Sequence, residues 1–129
     1  MTSDMAGCRV LVVEDETLIA LEIESALEAL GCKIIGPVST LERALQVATE
    51  TELDAAILDV SIRGGKIFPV AEQLRTRDIP FVLASGYGDW ALPHTLQERP
   101  RLTKPFTAAE LEEKLGILGA EIARRKRDA

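Results

Sequence analysis

A chain of 129 residues, of which 47% are hydrophobic and 28% charged, predicts one soluble globular domain over 1–129 and leaves no room for a second core. A formal net charge of −6 argues against nucleic acid as the main partner, while it permits cations and basic proteins. Without an apolar run of membrane-spanning length or a signal-peptide pattern, we expect a cytoplasmic protein that has no membrane contact.

The first elements are a predicted strand and a helix. Arg9 to Val13 is β-branched and apolar, which is typical of a central strand, and the acidic run Glu14-Asp15-Glu16 ends it. From there to Leu30, apolar residues recur at spacings of three and four, which places them on one face of a helix. Gly31 is the predicted helix terminator. The apolar face comprises Ile19, Ile23, Ala26, Leu27 and Leu30.

A second strand and helix follow in the same order. Lys33 to Gly36 predicts a short strand, which Pro37 closes. Ser39 and Glu42 have capping-box spacing and predict the start of a helix. The predicted buried stripe of this helix is Leu41, Ala44, Leu45 and Ala48.

The third strand is the most informative stretch of the chain. Ala55 to Asp59 is a short apolar run that ends abruptly in a carboxylate, as expected of a strand buried on both faces of a parallel sheet. A loop with Gly64-Gly65 precedes a helix over Phe68 to Arg77, in which Pro69 occupies the first turn. Val70, Ala71 and Leu74 are its predicted inward residues.

The fourth strand is predicted over Pro80 to Ala84, and a weaker pattern follows it. Between Asp89 and Pro100, three apolar residues have helical spacing, but Pro93 and Pro100 restrict this segment to a short or frayed helix. These apolar residues are Trp90, Leu92 and Leu96.

The chain closes with a fifth strand and a long helix. Arg101 to Thr103 predicts the strand, and Thr107 with Glu110 repeats the capping-box spacing. The basic run Arg124 to Arg127 is expected to stabilise the C-terminal end of the helix dipole rather than to bind nucleic acid. The predicted buried stripe is Leu111, Leu115, Leu118 and Ile122.

Five alternations of strand and helix predict an α/β fold, with a parallel sheet, right-handed crossovers and helices on both faces. In such a sheet all strands end at the same edge, so residues far apart in the sequence can meet there. The residues that close the predicted strands are Glu14 and Asp15, Asp59, Ser85 and Lys104.

Three carboxylates in one pocket repel one another unless a cation lies among them, and hard oxygen ligands favour Mg²⁺. Lys104 adds an ammonium and Ser85 a hydroxyl. This combination suits a phosphoryl group, with Asp59 attacking phosphorus while the metal and Lys104 stabilise the charge on its oxygens.

From Arg9 to about Ile122 the chain resembles the receiver domain of two-component response regulators. The motifs that carry the resemblance are Val12-Val13-Glu14-Asp15, Leu58-Asp59-Val60, Ala84-Ser85-Gly86 and Lys104-Pro105-Phe106. The resemblance implies a flavodoxin-like (CheY-like) doubly wound five-stranded parallel sheet of order 2-1-3-4-5.

The resemblance also implies that Asp59 accepts a phosphoryl group from a sensor histidine kinase or a phosphotransfer protein. It further implies Mg²⁺ held by Glu14, Asp15, Asp59 and the backbone carbonyl of Ser61, while Ser85 and Lys104 report the phosphoryl group to the rest of the domain. Output would pass to an unknown downstream protein. The face formed by the fourth helix, fifth strand and fifth helix would be the interface of a homodimer. Catalysis would be confined to the protein's own phosphorylation and dephosphorylation.

The run Phe81 to Gly88 is similar to the alphaproteobacterial subclass nicknamed FAT GUY, whose members are often single-domain receivers. Two residues depart from the wider family pattern. Glu14 replaces the more frequent Asp, and Arg101 stands where many receivers have the aromatic residue that reorients on activation. Tyr87 and Trp90 are candidates to replace that aromatic residue.

Three other functions fit parts of the pattern. A degenerate receiver could act as a constitutive interaction module, although the retention of Asp59, Ser85 and Lys104 argues against it. A small phosphate-ester hydrolase often has Asp-x-Asp, but residue 61 is Ser. A flavin site is disfavoured because Glu14-Asp15-Glu16 would repel a cofactor phosphate. His94, the single histidine, is expected in an exposed loop.

Overall fold

A computed structural model of the chain describes residues 5–86 and 91–128. Within these ranges the strands are β1 (Arg9–Val13), β2 (Lys33–Val38), β3 (Ala55–Asp59), β4 (Ser61–Ile62), β5 (Gly65–Lys66), β6 (Phe81–Gly86) and β7 (Arg101–Lys104). The α-helices are α1 (Thr17–Ala29), α2 (Leu41–Glu50), α3 (Phe68–Thr76) and α4 (Ala108–Asp128). Each of these helices is too short or too polar to cross a membrane.

The main sheet has five parallel strands in the order β2-β1-β3-β6-β7. If only the strands of this sheet are counted along the chain, the order is 2-1-3-4-5, so the flavodoxin-like prediction is confirmed. The separate antiparallel pair β4–β5 is formed by the predicted Gly64-Gly65 loop. All five residues of β3 are buried, as expected for the central strand.

The core lies on both faces of the sheet, because alternate residues of the strands point in opposite directions. Leu11, Leu58 and Leu83 face the layer formed by α2 and α3, while Val10, Ile57 and Val82 face α1 and α4. All six of these side chains are at most 1% exposed. The predicted buried stripes of α3 and α4 are confirmed, and for α1 the observed stripe is Ala20, Ile23 and Leu27.

The short or frayed helix predicted between Asp89 and Pro100 is, over residues 91–100, no longer than one turn. This part of the chain contains a single 3-10 turn over His94–Leu96, and His94 is exposed as predicted. Proline has no backbone N–H and constrains the preceding residue to extended conformations, so Pro93 and Pro100 prevent a longer helix. Asp89 and Trp90 lie outside the described residues.

Two boundaries around α2 also differ from the prediction. β2 continues through Pro37 to Val38, which is tolerated because β2 is an edge strand of the sheet. The residue that caps α2 is Thr40 rather than Ser39, and its hydroxyl accepts a hydrogen bond from the Arg43 N–H at 3.3 Å.

The inward face of α2 differs by one position. Val47 is buried, whereas Leu45 is 38% exposed. The capping box of Thr107 and Glu110 is confirmed, with the Glu110 N–H donating to the Thr107 hydroxyl at 3.1 Å and the Thr107 N–H donating to the Glu110 carboxylate at 3.3 Å.

Gly36 allows β2 to approach β1 closely. Its φ is +114°, and a Cβ at this position would lie 2.7 Å from the Val12 carbonyl oxygen and 2.8 Å from the Val38 nitrogen. Both atoms belong to the backbone of the sheet, so neither can move at low cost. We expect Gly36→Ala to lower the free energy of unfolding by about 2 kcal/mol, measured by urea denaturation.

Gly116→Ala is the matched control for this substitution. Gly116 lies in α4, and a Cβ there would have no neighbour within 4 Å. The control should gain roughly 0.5–1 kcal/mol from helix propensity. Equal stability of the two variants would contradict the close approach of the strands at Gly36.

Candidate functional site

The candidate site lies at the carboxyl edge of the main sheet. Glu14 directly follows β1, Asp59 ends β3, Ser85 lies near the end of β6 and Lys104 ends β7. Ser85 pairs with Thr103 in the register of β6 and β7, and Gly86 pairs with Lys104. The parallel sheet therefore brings together side chains that are up to 90 residues apart in the sequence.

The Lys104 ammonium is the centre of this arrangement. Its Nζ lies 2.8 Å from Glu14 Oε1, 3.0 Å from Asp59 Oδ2 and 3.2 Å from Glu16 Oε1. The side chains of Glu14 and Asp59 are only 1% and 6% exposed, so these two contacts are shielded from water. Ion pairs in such surroundings are stronger than those on an open surface, but they also require the charges to be desolvated.

The pKa values reflect this competition between burial and pairing. Burial raises the pKa of the Asp59 carboxyl to about 7, and the negative charge of Glu14 acts in the same direction. The hydrogen bond from Lys104 lowers this pKa but does not outweigh burial. Burial alone would lower the pKa of Lys104, but its hydrogen bonds to Glu14 and Asp59 outweigh burial and raise the pKa above the usual value. The ammonium is thus firmly charged, while one ammonium does not fully compensate the crowded acids.

Glu16 is a member of the cluster that the sequence did not predict as a site residue. Its carboxylate reaches Lys104, and its backbone N–H donates to Glu14 Oε2 at 3.1 Å. Three consecutive acidic residues after β1 were the available signal. That signal indicates an acidic loop, but it does not show which of the three side chains points at the lysine.

The surface beside the cluster is an open cup of about 400 Å³. Asp15, Asp59, Ser61 and Ser85 all contribute to its wall, together with Lys104. The Ser61 N–H donates to Asp59 Oδ1 at 3.2 Å, so each Asp59 oxygen already has one donor. The cup leaves Asp59 accessible from one side although it is only 5% exposed.

The cluster has the donor set of a divalent cation site. One carboxylate oxygen from each of Glu14, Asp15, Glu16 and Asp59 lies within 4.8 Å of the others. Glu14 Oε1 is buried and lies 2.8 Å from the Lys104 ammonium, so the ion pair satisfies this oxygen without a hydrogen bond of regular geometry. Four carboxylates around one ammonium leave negative charge uncompensated, and an all-oxygen donor set suits a hard ion such as Mg²⁺.

Arg101, at the position where the resemblance implies an aromatic residue, is the first residue of β7. It pairs with Leu83 in the sheet register, and its guanidinium donates to the Gln97 carbonyl oxygen at 2.7 Å. Tyr87 and Trp90, the candidate substitutes for that aromatic residue, lie outside the described residues.

Comparison with known proteins gives one consistent family. The response regulator receiver domain matches residues 10–116. The regulator PhyR of Methylorubrum extorquens is 31% identical over 118 residues, which cover 86% of this chain and 43% of PhyR. The chain spans about half the length of the curated relatives it matches.

Two solved structures of SdrG are similar over nearly their whole length. The solution structure of SdrG from Sphingomonas melonis Fr1 is 44% identical, has a TM-score of 0.76 and covers 90% of this chain and 98% of that chain. The BeF3-activated conformation of SdrG from Pseudomonas melonis Fr1 is also 44% identical, has a TM-score of 0.70 and covers 88% and 98%. The chain therefore belongs to the response regulator receiver domain family.

Proposed function

We propose that this receiver domain accepts a phosphoryl group on Asp59, in a Mg²⁺-dependent reaction, and signals by phosphorylation-dependent protein–protein contact. The observation that carries the proposal is the shared contact of the Lys104 ammonium with Glu14 and Asp59 beside an open cup. A buried acid, a fixed cation and an accessible face are together what acceptance of a phosphoryl group requires. The proposed donor is a sensor histidine kinase or a phosphotransfer protein.

In the proposed step, a carboxylate oxygen of Asp59 forms a bond to phosphorus. The bond between phosphorus and the donor's imidazole nitrogen breaks, and the imidazole retains the electron pair and takes up a proton from water. Lys104 would exchange a carboxylate contact for a phosphoryl oxygen, which it can do because its ammonium already lies 3.0 Å from Asp59. Ser85, in the wall of the cup, would donate its hydroxyl to another phosphoryl oxygen.

The acidic cluster supports the Mg²⁺ requirement. Glu14, Asp15 and Asp59 would hold the ion together with the carbonyl of Ser61, and the observation in favour is that their carboxylate oxygens lie within 4.8 Å of one another. When bound, Mg²⁺ supplies positive charge against the phosphoryl oxygens. Glu16 adds a fourth carboxylate to this group.

The proposed output follows from the position of Lys104 and Ser85 on neighbouring strands. Phosphorylation replaces the Asp59 carboxylate with a phosphoryl group that carries roughly −1.5 to −2 charge, which draws both side chains towards it. Because β6 and β7 are joined in register at Ser85–Thr103 and Gly86–Lys104, their displacement changes the surface at the ends of these strands. A downstream protein would recognise that surface. Catalysis by the domain is limited to its own phosphorylation and dephosphorylation.

The test is an NMR experiment with beryllofluoride, for which SdrG offers a precedent as a protein with a solved BeF3-activated conformation. With Mg²⁺ and beryllofluoride, the amide signals between Ser85 and Lys104 should shift, because both ends of that segment contact the acyl-phosphate mimic. Mg²⁺ alone should shift mainly the signals around Glu14 and Asp59. An unchanged spectrum at saturating reagent would instead favour a constitutive interaction module.

A further inference from the structure

A second charged cavity lies at the opposite edge of the sheet from the acidic cup. It has a volume of about 550 Å³, and we call it the arginine cavity because five arginines line its wall. These are Arg75, Arg77, Arg99, Arg124 and Arg125. The cavity adjoins the start of β6 at Phe81, whereas the cup adjoins the end of that strand at Ser85. Four residues of extended strand separate these positions by roughly 13 Å, so the two sites are distinct.

The cavity is locally cationic although the chain as a whole is acidic. Its five arginines face three carboxylates, those of Asp78, Glu121 and Asp128, while the formal net charge of the protein is −6. A concave surface of one predominant sign focuses the electrostatic field and raises the local concentration of ions of the opposite sign. The expected ligand is therefore an anion.

One arginine has a structural role. Arg99 donates to both oxygens of Glu121, at 2.7 and 2.8 Å, and its guanidinium lies 4.9 Å from the centre of the Phe81 ring. It also donates twice to the Phe81 carbonyl oxygen, at 2.9 and 2.6 Å. The charges of Arg99 and Glu121 offset each other, so this pair adds no net charge to the lining of the cavity.

The other four arginines keep their charge. Among residues 5–86 and 91–128, none of them has a carboxylate oxygen within 4.0 Å. Arg77 donates to the Ala48 carbonyl oxygen at 2.6 Å, and Arg125 donates to the Arg77 carbonyl oxygen at 3.4 Å. These bonds hold the guanidinium groups in place through backbone oxygens, which do not neutralise them.

Interaction with helix dipoles explains part of this charge. Arg75 lies in the last turn of α3 and Arg125 in the last turn of α4, where cations are favourable. The dipole interaction operates at each helix end separately. It therefore does not explain why the ends of α3 and α4 line one cavity. Arg77, which follows α3, donates to the Ala48 carbonyl oxygen in the last turn of α2, so a third helix end contributes a cation to the same cavity.

We propose that the arginine cavity binds a small polyphosphate anion, either an inorganic chain or the phosphate chain of a nucleotide. Guanidinium groups match phosphate oxygens with two parallel hydrogen bonds, which favours phosphate over halide or a single carboxylate. Several separated guanidiniums around about 550 Å³ require several linked anionic groups, so a polyphosphate fits better than one phosphate ion. The volume lies in the usual range of small-molecule sites.

The test is a titration of the ¹⁵N-labelled 129-residue protein with tripolyphosphate and, separately, with ATP. EDTA is present throughout, so that neither anion can bind through a metal at the acidic cup. Saturable shifts should appear at the amides of Arg75 to Phe81 and Arg124 to Asp128. Equal affinities would assign recognition to the phosphate chain, and tighter binding of ATP would assign a contribution to the nucleoside.

The variant that decides the proposal is Arg75→Gln combined with Arg124→Gln. Both arginines are exposed, so the fold should be retained, and affinity for tripolyphosphate should fall at least tenfold. Arg43→Gln on α2 is the matched control, because it removes an exposed helical arginine outside the cavity and should leave affinity unchanged. Undiminished binding by the double variant, absence of saturable shifts, or tighter binding of an acidic peptide or an oligonucleotide would each overturn the proposal.

Discussion

Asp59→Asn is expected to abolish phosphorylation of this protein completely. The amide has no carboxylate oxygen with which to attack phosphorus, while its size matches that of the buried aspartate. The Asn oxygen can still accept from the Ser61 N–H or from Lys104, so the surroundings of residue 59 should be retained. The measurement is the intact mass after incubation with acetyl phosphate and Mg²⁺, followed by phosphotransfer from candidate histidine kinases.

Asp78→Asn is a suitable control for this substitution. Asp78 is exposed in the loop after α3 and has a φ of +57°, which asparagine tolerates as well as aspartate does. The control should be phosphorylated like the wild type. Phosphorylation of the Asp59→Asn protein at the wild-type rate would place the acceptor on another residue and remove the basis of the proposed function.

Lys104→Ala should cause the largest loss of stability among the site substitutions. It leaves the carboxylates of Glu14 and Asp59 close together and nearly buried, without the ammonium that contacts both. Removal of one partner of a buried ion pair is strongly destabilising, and we expect the free energy of unfolding in EDTA to fall by about 3 kcal/mol. Protonation of Asp59, whose pKa is already raised to about 7, keeps the loss from being larger.

The stability of the Lys104→Ala protein with and without Mg²⁺ tests whether the acids form a cation site. If the acids form a cation site, the ion should recover much of the stability that Lys104→Ala loses, because it supplies positive charge to the same oxygens. Urea denaturation in EDTA and in Mg²⁺ gives both values. Lys114→Ala, which removes an ion pair with Glu113 in α4, should lose less than about 1 kcal/mol under either condition. Equal losses for the two lysine variants would show that Lys104 does not stabilise the acidic cluster.

Local signals in the sequence predicted the architecture well. The apolar run that ends in Asp59 is the buried central strand β3, and the Thr107–Glu110 capping box opens α4. These features depend on residues within four positions of one another, and the sequence contains such relations directly. The predicted cap of α2 was Ser39, whereas the structure has the cap one residue later, at Thr40.

The contacts within the site required the folded sheet. Its edge brings Glu14, Asp59 and Lys104 together, as parallel strands dictate, but the reach of Glu16 to Lys104 depends on how the loop after β1 turns. The arginine cavity depends even more on the tertiary structure, because Arg75, Arg99 and Arg124 belong to three segments without a shared motif.

The sequence by itself therefore determined the alternation of the main-sheet strands with helices, most of the buried faces, and Glu14, Asp15 and Asp59 at one edge, because hydrophobic periodicity and strand direction are properties of short stretches. Only the tertiary structure decided which side chain contacts which across the sheet, including the third carboxylate on Lys104 and the cationic cavity at the far edge. Those contacts depend on strand register, twist and helix packing, which arise from interactions between residues distant in sequence.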